Sequence, residues 1–407
     1  MEQIKGGVTA AEGFFAGSCA ANIKYEGRTD MAMVYSKKPC ECAGTFTSNV
    51  VKAACVQWDM QLTGSGDPLY AVVINSGIAN ACTGKEGFDA CIATAKAVEA
   101  ELNVPYKGVA VASTGVIGMQ LPVDKLTAGV KEMAHKLGDS IEAGTQASKA
   151  IMTTDTVNKE IAVSFDIDGV RVTLGGMSKG SGMIHPNMCT MLAFLTSDIA
   201  IDKALMQEAL SEAVKDTFNM ISVDGDTSTN DTLLLLANGA SGNKKIESKG
   251  PAYDTFKEAL FYVCRELAKK MAKDGEGASR LFTAHVVNAK TKDDARTLAR
   301  SVISSNLSKA AIFGCDANFG RFLCAMGYSG VSFEQEDVEL FFESAAGKLK
   351  VFEYGVPLDF DEDEALKILK EDEVKVFIDM NEGTQEATAW GCDLTYDYVK
   401  INADYRS

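Results

Sequence analysis

A segment near the middle of this 407-residue chain constrains its fold more than any other. Lys179–Leu192 reads KGSGMIHPNMCTML, so that glycines, a lysine and a proline come directly ahead of Thr190. Glycine permits backbone angles that other residues avoid, and proline ends or kinks a helix, so no regular helix can pass through here. The apolar run Met191–Leu195 predicts that the chain enters the core directly after Thr190. We therefore expect an irregular loop that leads into buried structure.

Composition and charge are those of an ordinary globular protein, with 46% hydrophobic and 24% charged residues. The length predicts two or three packed units. A net charge of −16 argues against nucleic acid or an anionic membrane surface as the main partner. No run approaches the roughly 18 apolar residues of a membrane span, and the N-terminus lacks an apolar signal core. Eleven cysteines without zinc-type spacing indicate reduced, mostly buried thiols, and we expect a cytoplasmic protein.

Apolar periodicity predicts a mixed α/β chain without repeats or linkers. We predict strands at Leu69–Asn75, Gly108–Ser113, Glu160–Phe165, Val170–Leu174 and Val374–Asp379, and helices at Asp89–Leu102, Val123–Leu137, Ala200–Lys215, Tyr253–Lys273 and Lys292–Ser304. Asp168-Gly169 between two alternating strands predicts a β-hairpin. Gly138 is typical of a residue that ends the preceding helix.

Thr190 is the candidate catalytic residue of the central segment. A threonine hydroxyl is a weak nucleophile and needs an adjacent base. The nearest possible base is its own α-amine, whose pKa of about 7.7–8 suits proton transfer near neutral pH. That amine exists only after the bond between Cys189 and Thr190 is cut. The segment is therefore interpreted as a self-cleavage site that creates an N-terminal threonine nucleophile.

Two alternatives to self-cleavage also fit this segment. An isolated threonine in a glycine-rich loop is more often structural than catalytic. Gly176–Gly180 also matches the G-x-S-x-G pattern of the nucleophile elbow around Ser178. An elbow serine must open a helix, however, and the glycines and Pro186 that follow forbid one. The elbow is therefore disfavoured.

At this point the sequence resembles a known family. Lys179–Leu192 is similar to the cleavage motif of the ornithine acetyltransferases, also called bifunctional glutamate N-acetyltransferases, of arginine biosynthesis. Further similar motifs follow in order over essentially the whole chain: Gly44–Asn49, Asn75–Gly84, Thr153–Thr156, Asp224–Asp231, Gly275–Gly277, Asp316–Arg321 and Asn402–Ser407. So many ordered matches make the structural interpretation of the central loop the weaker one.

The resemblance implies roles for individual residues. Thr190 matches the family nucleophile, released by cleavage after Cys189. Thr114 and Gly115 match the pair that builds the oxyanion hole, where a hydroxyl and a backbone N–H converge on developing negative charge. Lys179 matches a substrate-contacting lysine, whose ammonium can pair with an amino-acid carboxylate or lower the pKa of the new amine.

The other implied substrate-binding positions are Thr154, Glu276, Asn402 and Ser407, and Thr154 is preferred to the neighbouring Thr153. A carboxylate at Glu276 suits the amine of a substrate. Asn402 and Ser407 belong to the last six residues, a part of a chain that is normally frayed.

The family fold implied is α/β, with layered sheets flanked by helices and built by two entangled fragments, residues 1–189 and 190–407. The implied reaction moves the acetyl group of N-acetylornithine to glutamate through an acetyl-threonine, in two steps. No metal, nucleotide or flavin is implied, while acetyl-CoA is a possible second donor. The two fragments are expected to assemble further, as a pair of heterodimers or larger.

Two rival functions remain open on the sequence alone. A self-cleaving amidase or aminopeptidase of the same architecture would pass the acyl group to water. A binding protein would stay uncut, as a single band on a denaturing gel.

Overall fold

The computed structural model describes residues 1–185 and 191–403, which form two compact units. The first unit consists of Met1–Gly180, Asn187–Val214 and Thr227–Leu267, and the second of Ser181–Pro186, Lys215–Asp226 and Ala268–Ser407. Each unit therefore draws on both sides of the bond between Cys189 and Thr190.

The first unit is built on one nine-stranded mixed sheet. Its strands are β1 (Glu2–Ile4), β2 (Phe14–Cys19), β3 (Met31–Phe46), β4 (Leu69–Asn75), β5 (Val109–Ser113), β6 (Lys159–Ile167), β7 (Val170–Lys179), β8 (Leu192–Ser197) and β10 (Thr232–Ala237). Along the sheet their order is β1-β6-β7-β8-β10-β3-β4-β5, and β2 pairs with β3.

The centre of this sheet is its most apolar part. Every residue of β8 and of β10 is buried, and the two strands run parallel, with Thr232 opposite Leu192. Continuous apolar runs are typical of strands that are covered on both faces. The structure thus confirms that the chain enters the core directly after Thr190.

Helices flank this sheet: α1 (Ala54–Ser65), α2 (Gly84–Leu102), α3 (Val123–Ala134), α4 (Ile141–Ala150), α5 (Lys203–Lys215) and the long α6 (Pro251–Lys273), with a short 3₁₀ turn at Tyr106–Gly108. Helix α1 packs on β5, where the indole of Trp58 donates a hydrogen bond of 3.0 Å to the carbonyl of Val109. The division of the chain into units falls within two of these helices, after Val214 in α5 and after Leu267 in α6.

The second unit contains a seven-stranded sheet with the order β14-β13-β12-β15-β11-β16-β9. These strands are β9 (Ile221–Ser222), β11 (Leu281–Ala289), β12 (Glu339–Ser344), β13 (Gly347–Glu353), β14 (Val356–Pro357), β15 (Glu373–Asp379) and β16 (Gln385–Cys392). The helices are α7 (Lys292–Ser304), α8 (Asn306–Gly314), α9 (Phe319–Gly327), α10 (Glu362–Leu369) and α11 (Tyr396–Ala403), with 3₁₀ turns at Phe218–Met220 and Gln335–Asp337. Phe322 of α9 meets Phe282 of β11 and Phe342 of β12 edge to face.

The α/β prediction is confirmed, and most predicted elements lie within about three residues of their observed bounds. At the β6–β7 hairpin, Asp168 and Gly169 both have positive φ, at 52° and 83°, as a tight hairpin turn requires. The prediction for Gly138 is wrong. Helix α3 ends at Ala134, and Gly138 instead exchanges backbone hydrogen bonds with Ala16.

The described cysteines are free thiols, and most of them are buried. Among the described residues, no helix combines the length and the apolar character that crossing a membrane requires.

Candidate active site

Thr114 and Gly115 follow directly on β5, in the first unit. The N–H of Thr114 donates to the carbonyl of Asn75 at 3.0 Å, which fixes the turn against the end of β4. Gly115 has φ of 132°, and a Cβ there would lie 2.3 Å from the carbonyl of Gly77. Only glycine allows so close an approach of two backbone segments. The resemblance-based pair therefore occupies a rigid turn at the end of a buried strand.

Lys179 ends β7, and its side chain is buried. Its Nζ donates to the hydroxyl oxygen of Thr114 at 2.9 Å and to that of Thr153 at 3.3 Å. The structure thus brings together two residues that lie 65 positions apart in the sequence. Thr154, the preferred substrate-binding threonine, lies beside Thr153 and is half-buried.

A buried ion pair adjoins this lysine, and neither of its residues is among those that the sequence predicts for the site. Asp155 accepts from the ammonium of Lys159 at 2.6 Å, from the N–H of Gly180 at 2.8 Å and from that of Thr153 at 3.0 Å. Burial opposes ionisation, but the charges of Lys159 and Lys179 and these hydrogen bonds outweigh it and lower the pKa of Asp155 to about 2. An ionised Asp155 therefore holds the backbone of Thr153, which contacts Lys179, and the backbone of Gly180, which follows Lys179 in the chain.

Glu276 occupies a loop of the second unit and is buried. Its N–H donates to the carbonyl of Ser181 at 2.8 Å, and its carboxylate accepts from the amide of Asn402 at 2.7 Å. A Cβ on Gly182 would lie 2.3 Å from that carboxylate, so glycine makes room for it. Two of the implied substrate-binding residues, Glu276 and Asn402, are thus in direct contact.

The glycines on both sides of Glu276 are required by close packing. A Cβ on Gly275 would lie 2.6 Å from the sulfur of Cys392. Gly277 has φ of 68°, and a Cβ there would lie within 2.9 Å of Asp397, at the start of α11. The short Gly-Glu-Gly motif therefore holds the carboxylate in one place rather than presenting it on a mobile turn.

A second carboxylate holds the glycine-rich segment within the second unit. Asp224 accepts from the N–H groups of Met183 at 2.5 Å and Ile184 at 2.9 Å, and from the hydroxyl of Tyr398 at 3.3 Å. Burial raises the pKa of Asp224, and these backbone donors oppose the rise. Next along the chain, burial and the charge of Arg300 lower the pKa of His185.

Three of the residues implied by the resemblance, Cys189, Thr190 and Ser407, lie outside the described residues. The residue after Thr190 is described, and its backbone is held on both sides. The N–H of Met191 donates to the carboxyl of Asp231 at 2.8 Å, and its carbonyl accepts from the N–H of Thr232 at 3.1 Å. Ser178 lies inside β7 between paired strands, which is incompatible with an elbow that opens a helix.

Residue reasoning passed over Asp155, Lys159 and Asp231. Asp155 and Asp231 belong to motifs that resemble the family, Thr153–Thr156 and Asp224–Asp231, but the resemblance implies no role for either residue. Lys159 carried no such signal, because a lysine opening an alternating strand is usually exposed. In the part of the chain that the structure describes, no group of three or more His, Cys, Asp or Glu side chains is arranged to hold a metal ion.

Comparison with known proteins covers nearly the whole chain. A family model described as the ArgJ family matches residues 15–407. The Clostridium acetobutylicum protein called arginine biosynthesis bifunctional protein ArgJ 1 is 50% identical over 400 residues, which are 98% of this chain and 97% of that protein. Arginine biosynthesis bifunctional protein ArgJ of Symbiobacterium thermophilum is 50% identical over 409 residues, covering 100% of both.

A solved structure of ornithine acetyltransferase complexed with ornithine, from Mycobacterium tuberculosis, is 42% identical to this chain. The match covers 46% of this chain and 96% of that one, with a TM-score of 0.42. The family match favours the transferase interpretation and gives no support to the self-cleaving hydrolase or to the binding protein. The chain belongs to the ArgJ family and is an acyltransferase of arginine biosynthesis.

Proposed function

We propose that this chain transfers the acetyl group of N-acetylornithine to glutamate through an acetyl ester on Thr190. The precursor first cuts itself: the Thr190 hydroxyl attacks the carbonyl carbon of Cys189, the peptide C–N bond breaks, and its nitrogen takes a proton to become the free amine. Water then hydrolyses the ester, leaving a carboxylate on Cys189 and a free hydroxyl on Thr190.

In the first half of the transfer reaction, the freed amine of Thr190 accepts the hydroxyl proton as the oxygen attacks the acetyl carbonyl. Ornithine leaves with that proton on its nitrogen. In the second half, the amine of glutamate attacks the acetyl ester, and the proton returns to the threonine oxygen. The arrangement at Thr114 is the observation that best supports this reaction.

The contact between Lys179 and Thr114 gives the threonine hydroxyl a direction. Because Lys179 donates to the hydroxyl oxygen at 2.9 Å, the proton of Thr114 is left to donate elsewhere. The N–H of Gly115 donates to none of the described residues. Two donors fixed at the end of β5 are what an oxyanion hole requires. Lys179 would also place a positive charge beside the developing oxyanion.

Replacing Thr114 by valine tests this role. The change keeps the shape of the side chain and removes the donor, so we expect kcat to fall about 10²- to 10³-fold, with self-cleavage slowed in parallel. Thr94→Val is the matched control, because Thr94 is also buried and its hydroxyl donates to the carbonyl of Ala90 within α2. Initial rates and a time course on denaturing gels measure both effects. Equal activity of the two variants would show that Thr114 is not part of the oxyanion hole.

Glu276 and Asn402 are proposed to bind the free ammonium of the substrate. The carboxylate is buried, and it is already held by Asn402 and by the backbone hydrogen bond of Glu276. The lack of a side chain at Gly182 leaves room for it. A preordered charge binds an ammonium without first losing side-chain freedom. Thr154 and Ser407 keep their proposed substrate-binding roles.

Gly182→Ala should displace the Glu276 carboxylate, because the three atoms nearest to the added methyl are the carboxyl carbon and oxygens of that flexible side chain. Loss of a charge-assisted contact of about 1.5–3 kcal/mol predicts a KM for N-acetylornithine that is about 10- to 100-fold higher. Gly314→Ala is the control, since open space surrounds that glycine. Steady-state kinetics and thermal unfolding separate binding from folding. An unchanged KM would show that Glu276 does not contact the substrate.

We also propose that residues 1–189 and 190–407 remain together as two fragments of one enzyme in the cytoplasm and pair into a larger assembly. Support comes from the first sheet, where β8, from after the cut, pairs with β7, from before it. Acetyl-CoA is proposed as a second donor, because the curated relatives are called bifunctional.

The deciding experiment supplies N-acetylornithine or acetyl-CoA with labelled glutamate. Labelled N-acetylglutamate formed from N-acetylornithine supports the proposed transfer, and its formation from acetyl-CoA supports the second donor. Release of free acetate without transfer to glutamate would instead support the alternative function, a self-cleaving hydrolase.

A further inference from the structure

Two adjacent buried residues, Asn230 and Asp231, form hydrogen bonds to the residue before Thr114 and to the residue after Thr190. The proposed reaction assigns neither of them a catalytic or binding role. Both precede β10, at the middle of the first sheet, and they are 5% and 1% exposed. All the contacts described below lie within the first unit.

Asn230 holds the strand that carries the oxyanion donors. Its Nδ2 donates to the carbonyl of Ser113 at 2.9 Å and to the hydroxyl of Ser113 at 3.2 Å. Ser113 is the last residue of β5 and immediately precedes Thr114. The hydroxyl of Thr229 donates to Oδ1 of Asn230 at 2.7 Å, so the amide is held with its nitrogen towards Ser113. A shift of Asn230 would therefore move the residue next to Thr114.

Asp231 holds the residue that follows the nucleophile. The N–H of Met191 that donates to Asp231 belongs to the peptide bond joining Thr190 to Met191. Thr232 binds the carbonyl of Met191. Two consecutive residues thus fix both backbone groups of Met191, and the next pair in register, Thr232 and Leu192, begins the β8–β10 ladder. The start of the second fragment is anchored within one residue of its nucleophile.

The carboxyl of Asp231 acts here as an acceptor. Burial raises its pKa well above the usual range, although the Met191 N–H and the charge of Lys179 oppose the rise. Its second oxygen, Oδ2, is buried and makes no hydrogen bond to the described residues. An asparagine side chain has nearly the same shape and keeps a carbonyl acceptor for the Met191 N–H.

We infer that Asn230 and Asp231 are positioning residues, which set the separation between the nucleophile and the oxyanion donors by holding the backbone beside each. The inference rests on the proposed roles of Thr190, Thr114 and Gly115. Its physical basis is that both contacts come from neighbouring residues at the start of one rigid strand. Misplacement of reacting groups by about 1 Å can lower a rate about 10²-fold.

The test compares variants that keep or remove each contact. Asp231→Asn retains an acceptor for the Met191 N–H and is expected to keep kcat within about threefold of the original enzyme. Asp231→Ala removes the hydrogen bond from the Met191 N–H, and Asn230→Leu removes both hydrogen bonds to Ser113. We expect both to lower kcat about 10²-fold with little change in KM, and to leave uncut precursor on denaturing gels.

Asn238→Leu is the matched control, because Asn238 adjoins the opposite end of β10 and is 7% exposed. Its amide donates to the carbonyl of Glu12 at 2.9 Å, remote in sequence from the proposed catalytic residues. This variant should lose thermal stability, as Asn230→Leu should, but keep its kcat. If Asp231→Ala does not fold, the pair Asn230→Leu and Asn238→Leu decides the question.

The outcomes separate this inference from the function beneath it. Full activity and cleavage in Asp231→Ala and Asn230→Leu would overturn the inference, while an inactive, uncut Thr190→Ala would leave the proposed function standing. An Asp231→Asn variant as impaired as Asp231→Ala would also overturn it, because a retained acceptor for the Met191 N–H would then not be sufficient for activity. Activity in Thr190→Ala would instead contradict the proposed function itself.

Discussion

Replacing Thr190 by alanine should leave the protein as a single 43.4 kDa chain and abolish acetyl transfer. The same oxygen is proposed to cut the precursor and to carry the acetyl group, so one substitution removes both reactions. Thr190→Ser is the companion variant, because a serine keeps the hydroxyl and should therefore cut and transfer at a reduced rate. Denaturing gels, N-terminal sequencing and the transfer assay provide the three measurements.

N-terminal sequencing gives this prediction its strictest test. The active enzyme should yield two starting points, Met1 and Thr190, and the alanine variant should yield Met1 alone. Active enzyme whose only N-terminus is Met1 would contradict both the cleavage and the role of the α-amine as base.

Replacing Lys159 by methionine is expected to give the largest loss of stability. The side chains of Lys159 and Asp155 are both 0% exposed, and their charged atoms lie 2.6 Å apart. Methionine fills most of the space but leaves the carboxylate of Asp155 buried without its nearest counter-charge. Breaking one side of a buried ion pair costs about 3–5 kcal/mol. Urea unfolding should be measured in the uncut Thr190→Ala background, so that a single chain unfolds.

The matched control is Lys85→Met, which removes another lysine–aspartate pair with a spacing of four residues. Lys85 and Asp89 are 87% and 52% exposed, so water already screens their charges and little change is expected. Equal effects of the two substitutions would show that burial does not determine the strength of the Lys159 pair.

Lowering the pH should narrow the difference in the free energy of unfolding between the parent and Lys159→Met. The pKa of Asp155 is about 2 in the folded chain, whereas an unfolded aspartate has a pKa of about 3.9. A lowered folded-state pKa contributes stability that is complete above pH of about 4 and is lost as the pH falls through about 2. Unfolding measured across this interval should therefore show the two stabilities converging. A constant difference would mean that Asp155 is not the titrating group.

The sequence predicted elements best where local pattern and final environment agree. Strand β4 and helix α7 have the predicted bounds, because continuous burial and a clear apolar face are both visible in the residues themselves. The long β3 was missed, since Pro39 interrupts its pattern at a register shift between Tyr35 and Cys40. The end of α3 was misplaced because Gly138 serves a distant backbone contact with Ala16.

The site divides in the same way. Resemblance identified Thr114, Lys179, Glu276 and Asn402 as single positions, but no local pattern shows that Lys179 contacts Thr114 or that Glu276 contacts Asn402. These pairs are separated by 65 and 126 residues, so only the folded chain reveals them. Buried groups such as Asp231 were missed for another reason. Their importance lies in what surrounds them, and an aspartate in a polar motif is usually taken to be exposed.

The strand order of the first sheet has a consequence for the mature enzyme. Strands β8 and β10, which come after residue 189, lie between β7 and β3, which come before it. Once the chain is cut, this ladder is the product of two separate molecules, and reforming it after denaturation becomes a bimolecular event. Dilution should then suppress recovery of the cut enzyme but not of an uncut variant. Self-cleavage would in this way make folding effectively irreversible, because a cut enzyme that unfolds at low concentration does not reassemble.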